Sequence, residues 1–506
     1  MSGPAYGQQN ASIVGTVRDP SGGVMPGTKV TATSAETGLA RVMLTNAEGN
    51  YVLASLGVGT YTVSAELPGF KTQVAEKVKL DVNQTVRVDF VLEVGELAEQ
   101  VVVTGISRLL QTDDAQLGTL IENAKVLNLP LNGRNFTQLS MLVAGAVESP
   151  GNAAGTHLAS RGAGLGFSVH GQRSNYNGFM LDGAVVKEYQ HESPAFSPSI
   201  DALQEFRVET SNYSAEFGAE AGAHVNMVIK SGTNEFHGTA HEFHRNDALS
   251  ARNFFATDKP DFQRNQFGGT LGGPVVKNKL FFFGSYEGAR IGSGLTLNGR
   301  VPEAKARAGD FSDLLARGVQ VVDPLTGQPF PGNTIPPDRI HPIARRILSE
   351  FVPLPNRPGE AENWRQSDTA VIHSDQFIGR VDYNVSQKDQ LFARYILEDF
   401  SNVSAKVFPT DGFSKDGRGQ NLTLGWTHIA GNRLVNELKL SHNRFVQDEL
   451  VARAFERDVV SELGMEGLCT EDPACWGLPQ IGVTGYLGFG EHGQGQAESG
   501  PRGWRN

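Results

Sequence analysis

The sequence predicts a mainly β protein, in which an N-terminal β-sandwich precedes an α+β segment and the first strands of a transmembrane antiparallel β-barrel. Glycine is frequent, at 59 of 506 residues, and 39% of the residues are hydrophobic. This composition suits short strands joined by many turns. Short β-type runs recur near the N-terminus, and after residue 230 alternating segments are joined by connections of two different lengths. A chain this long favours more than one domain.

Charge and apolar content exclude two classes of protein. The formal net charge is -11, and no run of lysine or arginine offers a surface for nucleic acid. No stretch approaches the ~20 consecutive apolar residues of a membrane-spanning helix. The first residues, "MSGPAYGQQNAS", contain no apolar core of an export signal. We interpret "PAYGQ" as the remnant of a cleavage region whose upstream part is missing.

A small antiparallel sandwich is predicted at 11–94. The turn sequences "DPSGG", "NAEGN" and "LPGF" separate its short strands. One face of the run "TVRVDFVL" carries only apolar side chains: Val86, Val88, Phe90 and Leu92. A period of two is expected for a half-buried strand.

The same segment resembles the carboxypeptidase regulatory-like domain. The resemblance is carried by "IVGTVRDPSGGVMPGTKVTA" and "TNAEGNYVLASLGVGTYTVSAELPGF" and covers almost the whole segment. It implies a noncatalytic sandwich. The segment contains no histidine, whereas a zinc peptidase needs histidine and carboxylate ligands around an open position for water.

The linker at 95–110 contains a short β-branched run, "GELAEQVVVTG". Such a run is suited to pairing with the sheet edge of a partner, because backbone hydrogen bonds provide most of the binding. It resembles the TonB box of outer-membrane receptors, although an ordinary edge strand has the same composition. The resemblance implies TonB as a partner and a box at these residues: Val101, Val102, Val103, Thr104 and Gly105.

The next segment resembles the plug of TonB-dependent receptors of the Oar-like group, in which a carboxypeptidase-like domain precedes the plug. The resemblance is carried by "NLPLNGRNFTQLSMLVAGA", "FSVHGQRSNYNGFMLDGA" and "SIDALQEFRVETSNYSAEFGAEAGAHVNMVIKSGTNEFHG". We therefore predict five segments. They are a residual N-terminal segment at 1–10, a sandwich at 11–94, a linker at 95–110, an α+β plug at 111–230 and a partial barrel with long extracellular loops at 231–506.

A polar motif in the plug, "GQRSNYNGFMLDG", offers four candidate side chains: Arg173, Asn175, Asn177 and Asp182. They are predicted to be buried polar groups that satisfy the backbone of turns. Ligand binding inside the plug is the alternative.

Seven barrel strands are predicted, at 236–245, 264–272, 279–289, 373–385, 390–400, 421–429 and 434–445. The turns "GPVVKNK", "SQKD" and "AGNR" alternate with three much longer connections. Short turns on one rim and long loops on the other are typical of an outer-membrane barrel.

The apolar run at 281–283 is predicted to lie in the barrel wall. Phe282 or its neighbours would contact lipid, and Tyr286 would lie near the aromatic girdle. The alternative is a phenylalanine cluster in a soluble core. Seven strands cannot close a receptor barrel of about 22 strands, and open edges are not tolerated in lipid. We therefore interpret the chain as an incomplete receptor.

Metal binding and catalysis have weak support. His237 and His241 share a strand face, but His244 points away, and no zinc-peptidase spacing is present. Asp310 and Asp313 lack the apolar surroundings that raise a pKa. The two cysteines, Cys469 and Cys475, permit a small disulfide or remain as thiols. We predict no catalytic residue, metal or cofactor.

The resemblance implies uptake across the outer membrane, with the N-terminal domain in the periplasm. TonB and its inner-membrane energising complex would use the proton gradient to remodel the plug. The ligand is open between a carbohydrate, a peptide and a metal chelate. The alternative function is a surface adhesin that binds glycans or proteins without active transport.

Overall fold

The protein consists of a sandwich, a plug and an arc of barrel wall in that order. A computed structural model describes residues 11–95, 100–103, 117–148, 167–187, 194–211, 213, 218, 220–252, 254, 259–359, 361–404, 408, 412–431, 434–451, 453–468, 470–490 and 504–505. No helix in this described part of the chain is long and apolar enough to cross a membrane.

The N-terminal sandwich packs two sheets around one apolar core. Its strands are β1 (Ala11–Arg18), β2 (Lys29–Ser34), β3 (Ala40–Leu44), β4 (Asn50–Leu56), β5 (Gly59–Glu66), β6 (Thr72–Leu80), β7 (Thr85–Arg87), β8 (Phe90–Val91) and β9 (Gln100–Val103). One sheet has the order β4-β1-β7, with β8 also paired to β1, and the other has the order β3-β2-β5-β6-β9. Alternate residues of each strand enter the core, as in Ile13, Leu53 and Val63.

The sandwich is antiparallel in part, as predicted, but three of its described strand pairs are parallel. Strand β1 pairs in parallel with both β7 and β8, and β6 pairs in parallel with β9. These parallel pairs join strands that are distant in the sequence, so hairpin turns cannot predict them.

The plug contains a five-stranded sheet in the order β10-β15-β16-β13-β14 and a separate pair of strands, β11 and β12. The elements are β10 (Leu117–Glu122), α1 (Asn123–Asn128), β11 (Ala146–Glu148), β12 (Phe167–Val169), β13 (Gly178–Leu181), β14 (Ala184–Val185), β15 (Leu203–Ser211) and β16 (His224–Ile229). The apolar core of the plug continues into the barrel wall, where it includes Phe283, Ile378 and Ile396. Plug and wall therefore share one core.

The barrel wall is an antiparallel sheet whose strands follow one another in chain order. They are β17 (His237–Asn246), β18 (Phe262–Val276), β19 (Leu280–Gly299), β20 (Trp364–Asn384), β21 (Asp389–Val403), β22 (Phe413–Ile429), β23 (Val435–Val451) and β24 (Trp504–Arg505). Among the described residues, β17 pairs only with β18 and β24 only with β23.

The period of two sorts the side chains of the wall onto two faces. The outward face carries exposed large apolar residues: Phe377, Val381, Leu391, Tyr395, Leu422, Leu424, Trp426, Leu438 and Leu440. The inward face carries buried polar residues: Gln376, Arg394, Glu398, Asn421 and Thr423. An apolar outside and a polar inside match a wall that faces lipid.

The phenylalanine run is divided between these faces. Phe281 and Phe283 are buried on the plug side, whereas Phe282 is half-buried and packs near Phe236. Tyr286 lies on the outward side beside Phe377, with ring centroids 4.7 Å apart. Of the predicted lipid-facing run, Phe282 lies on the outward face and its two neighbours do not, and the girdle position of Tyr286 stays a prediction.

Four strands extend well beyond the predicted bounds on the rim of long connections. Strand β19 continues to Gly299, ten residues beyond the predicted end at 289, and its partner β20 begins at Trp364 rather than at 373. The prediction limited strands to the length that spans an apolar layer. Strand pairing continues outside that layer because the hydrogen bonds between strands join backbone groups and do not depend on contact with lipid.

The long connections pack against one another at this rim. Their described residues contain three α-helices, α2 (Ala304–Arg307), α3 (Pro342–Glu350) and α4 (Val459–Leu463). Their common apolar cluster consists of Val301, Ile347, Phe351, Val352, Trp364, Phe408, Val459, Leu463, Leu478 and Phe489.

Candidate functional site

Three of the predicted box residues form the last strand of the sandwich sheet. In β9, Val101, Val102 and Val103 pair in parallel with Gln73, Val74 and Ala75 of β6. Thr104 and Gly105 lie outside the described residues. An extended β-branched segment at a sheet edge is the conformation that strand addition requires.

The turn after β6 docks the sandwich onto the plug. The N–H of Val82 donates to the Glu205 carboxylate, and the Arg207 guanidinium donates to the carbonyl of Asn83 at 3.0 Å. The Asn83 amide donates to Glu209 Oε1 at 3.2 Å. We name Glu205, Arg207 and Glu209, which lie on β15, the socket.

All three charged side chains of the socket are buried. Burial raises the pKa of the Glu205 carboxyl to about 7, and the nearby carboxylate of Asp81 acts in the same direction. The hydrogen bond from Val82 opposes this shift. The socket therefore contains a carboxyl group that titrates near neutral pH.

The polar motif of the plug is divided between two places. Arg173 is exposed, and the carbonyl of Asn175 accepts a hydrogen bond from Lys187 Nζ at 3.0 Å. Asn177 is fully buried; its amide donates to the carbonyl of Phe167 at 2.7 Å and accepts from the N–H of Ala223 at 2.9 Å. The contacts of Asn177 satisfy backbone groups at the start of β12 and directly before β16, and the role of the motif as a whole stays a prediction.

Asp182, the last residue of the motif, contacts the barrel instead. Its carboxylate accepts from Arg394 Nη1 at 2.5 Å and from Arg380 Nη1 at 3.1 Å. It also accepts from the N–H of Ile229 at 3.1 Å. The Arg394 side chain is fully buried and is further bound by Asn421 and Thr423. A buried carboxylate between two guanidinium groups is charge-assisted on both sides.

A second ionic cluster joins plug and wall, and the sequence reasoning missed it. Arg134 of the plug forms an ion pair with Asp201 and lies 3.9 Å from Glu287 of β19. Ser199 donates to Glu287 at 2.5 Å. His241 Nδ1 of β17 lies 3.3 Å from Asp201.

This cluster brings together the ligand types that a metal ion uses. Ligand atoms of Asp201, His241 and Glu287 lie within 4.8 Å of one another. The guanidinium of Arg134 already supplies a positive charge between Asp201 of the plug and Glu287 of the wall, so the arrangement is an ionic contact between plug and wall. His237 and His244 are exposed and lie outside it.

Neutral side chains of the wall also bind the plug backbone. Gln376 donates to the carbonyl of Ser197 at 3.0 Å and accepts from the N–H of Ser199 at 3.0 Å. Asn443 donates to the carbonyl of Val185 at 2.7 Å. The sequence signal for these contacts is a polar residue that alternates with lipid-facing residues along a wall strand. This pattern predicts an inward side chain, but it does not predict which plug residue the side chain contacts.

A cavity of about 280 Å³ lies where sandwich, plug and wall meet. Charged side chains of both signs line it: Glu36, Asp182, Arg380, Asp382, Glu437 and Lys439. The sandwich therefore covers the plug at the rim of short connections. Arg41 Nη2 of the sandwich donates to Gln390 Oε1 beside the turn between β20 and β21, at 2.9 Å.

One predicted feature, the disulfide, remains a prediction. Cys469 lies outside the described residues, as does the side chain of Cys475, so the disulfide stays open. Asp310 and Asp313 are not buried, and hydrogen bonds from Ser312 and Lys305, respectively, lower their pKa values.

Fold and contacts define a class: a barrel wall with an inserted plug and a docked N-terminal sandwich. Residues 228–504 match the family described as "Outer membrane beta barrel domain", and residues 12–93 match "Carboxypeptidase regulatory-like domain". The first match covers more than half of the chain. The chain belongs to the outer membrane β-barrel family, and its location is the outer membrane.

Among curated proteins, the chain is similar to the TonB-dependent transporter Oar of Myxococcus xanthus, with 28% identity over 307 residues. The similarity covers 56% of this chain and 27% of that protein.

Two solved structures show weaker similarity. The outer membrane transporter YddB from Escherichia coli has 12% identity and a TM-score of 0.43, over 67% of this chain and 40% of that one. The siderophore receptor PirA from Acinetobacter baumannii has 12% identity and a TM-score of 0.33, over 67% and 49%. The family assignment rests on the sequence matches, not on these scores.

Proposed function

We propose that the chain is part of a TonB-dependent transporter that takes up a ligand across the outer membrane with energy from the inner-membrane proton gradient. The observation that carries the proposal is the box segment, which pairs with β6 at the edge of the sandwich sheet and precedes the plug in the sequence. The similarity to a TonB-dependent transporter supports it.

The position of β10 in the plug sheet suits a mechanical role. The first described element after the box is β10, which lies at the edge of the plug sheet and pairs with β15. A pull on the box would reach an edge strand first, and an edge strand can be removed without breaking the pairs of the inner strands.

The ionic contacts explain why energy is needed. Asp182 with Arg380 and Arg394, and Arg134 and Ser199 with Glu287, hold the plug in the wall. Separating buried charges that lose their partners costs about 3–5 kcal/mol for each broken pair. Spontaneous opening is therefore rare, and an external pull makes it frequent.

Uptake by the full-length receptor tests the proposal. The probes are a labelled maltooligosaccharide, a labelled hexapeptide and an iron(III) hydroxamate, each with and without a protonophore. Uptake of at least one probe should require the proton gradient. Val102→Pro with Val103→Pro should abolish that uptake, because proline removes the backbone N–H groups that strand addition uses.

The matched control is Val102→Ala with Val103→Ala, which removes the same side chains but keeps the backbone donors. It should retain most of the uptake. Unchanged uptake in the proline variant would contradict the box assignment, and uptake that ignores the protonophore would contradict active transport and favour the adhesin alternative.

A further inference from the structure

The outer edge of β6 carries backbone N–H and C=O groups that need partners. An uncovered edge is a template for pairing with another chain. In this protein β9 covers it through four register pairs, from Thr72 with Gln100 to Ala75 with Val103. The other side of β6 pairs with β5, so β6 is an inner strand only because β9 is present.

The covering segment contains Val101, Val102 and Val103 of the box. We propose that the edge of β6 is the resting-state binding site for the box, so that TonB has to peel β9 from the sandwich before its pull reaches the plug. This inference rests on the proposed function, and it means that the edge of β6 competes with TonB for the box.

The relative strength of the contacts indicates that β9 separates first. The described part of β9 has four residues and is held to its neighbour by backbone pairs along one side, so its pairs can open one after another from an end. The sandwich body has a continuous buried core. Its attachment to the plug uses Glu205, Arg207 and Glu209, which are buried and charged. Those bonds have to break together.

The binding site on β6 is also fixed relative to the plug. The turn that follows β6 inserts Val82 and Asn83 into the socket on β15, and β15 is the partner of β10. The box is thus held on the sandwich, and the sandwich is docked to β15. Strand β15 is the neighbour of β10, the first described strand of the plug after the box.

A reversible crosslink tests the proposal in the full-length receptor with Cys469→Ser and Cys475→Ser. Val74→Cys with Val102→Cys places two thiols on register partners of β6 and β9. Mild oxidation should join them. The oxidised receptor should lose binding to the purified periplasmic domain of TonB, measured by calorimetry, and reduction should restore it.

The matched control is Thr31→Cys with Val42→Cys, which joins register partners of β2 and β3 in the same sheet. Oxidation of this pair should leave TonB binding unchanged. Because each receptor is compared with itself in the two redox states, any direct effect of a cysteine at position 102 cancels.

Two results would overturn the proposal. The first is that the thiols at 74 and 102 fail to form a disulfide under conditions in which those at 31 and 42 form one. The second is that the oxidised receptor with cysteines at 74 and 102 binds TonB as well as the reduced receptor does. Failure of the proposed function has another signature. In that case the crosslink forms, but the proline variant of the box binds the TonB domain like the unmodified receptor.

Discussion

The plug has two junctions, one with the barrel wall and one with the sandwich, and both are built from buried charges. At the wall, side chains meet side chains: Asp182 lies between Arg380 and Arg394. At the sandwich, the charged side chains of Glu205 and Arg207 bind backbone groups of a turn.

The two junctions differ in the free energy that is needed to open them. A buried ion pair leaves two uncompensated charges when it separates without water, so its loss is expensive. A peptide group released from the socket regains water at once, because the turn is at the surface of a separate domain. The wall junction therefore resists opening, whereas the sandwich junction is suited to reversible docking.

The largest expected effect tests the wall junction. Asp182→Asn in the full-length receptor removes the charge shared by Arg380 and Arg394 and should destabilise the plug by about 3–5 kcal/mol. Asparagine tolerates the left-handed backbone at this position, where φ is 48°. The measurement is the urea midpoint at which a cysteine at buried Ser140 becomes accessible to a thiol reagent.

Asp382→Asn is the matched control, because Asp382 also pairs with Arg380 but is 23% exposed. Its loss should cost about 1 kcal/mol or less. Equal midpoints for the two variants would show that burial does not strengthen the contact at Asp182.

The next effect is a pH dependence of the sandwich junction. A pKa raised from 4.5 to about 7 corresponds to about 3 kcal/mol. The docked state favours the protonated Glu205, so this contribution is fully present below pH 4.5 and is lost as the pH rises through about 7. Docking should weaken over this window.

The docked fraction can be measured as the short-distance population between nitroxide labels at Ser21 and Lys388, both of which are exposed. Glu205→Gln should remove most of the pH dependence, since glutamine does not titrate. A docked fraction that stays constant from pH 4.5 to 8 in the unmodified receptor would contradict the prediction.

The sequence predicted the domain order and the faces of the wall better than either junction. In "QFIGRVDYNV" the period of two puts Phe377 and Val381 on one shared face, because that alternation is a property of each strand alone. The bond from Arg394 to Asp182 joins residues 212 positions apart. Single-sequence patterns contain no signal for such a pair.

The polar motif illustrates the same limit within the plug. Its composition predicted buried polar groups, and Asn177 is buried and bonded to backbone groups. Nothing local distinguished Asp182, which points to the wall. The parallel pairing of β9 with β6 was equally invisible, since the predicted box and its partner strand are separated by the remaining strands of the sandwich.

The smallest expected effects come from Asn83, where one pair of variants distinguishes the side-chain hydrogen bond from the left-handed backbone conformation. Asn83 has φ of 54° and donates to Glu209. Asn83→Gly removes only the hydrogen bond and should weaken docking by about 1 kcal/mol. Asn83→Ala adds the strain of a left-handed residue and should cost about 1 kcal/mol more. The same pair of nitroxide labels measures both, at a pH above 7 where Glu205 is ionised. If the two variants dock equally well, the turn relaxes without strain; if both dock like the unmodified receptor, the socket holds the sandwich through Val82 and Arg207 alone.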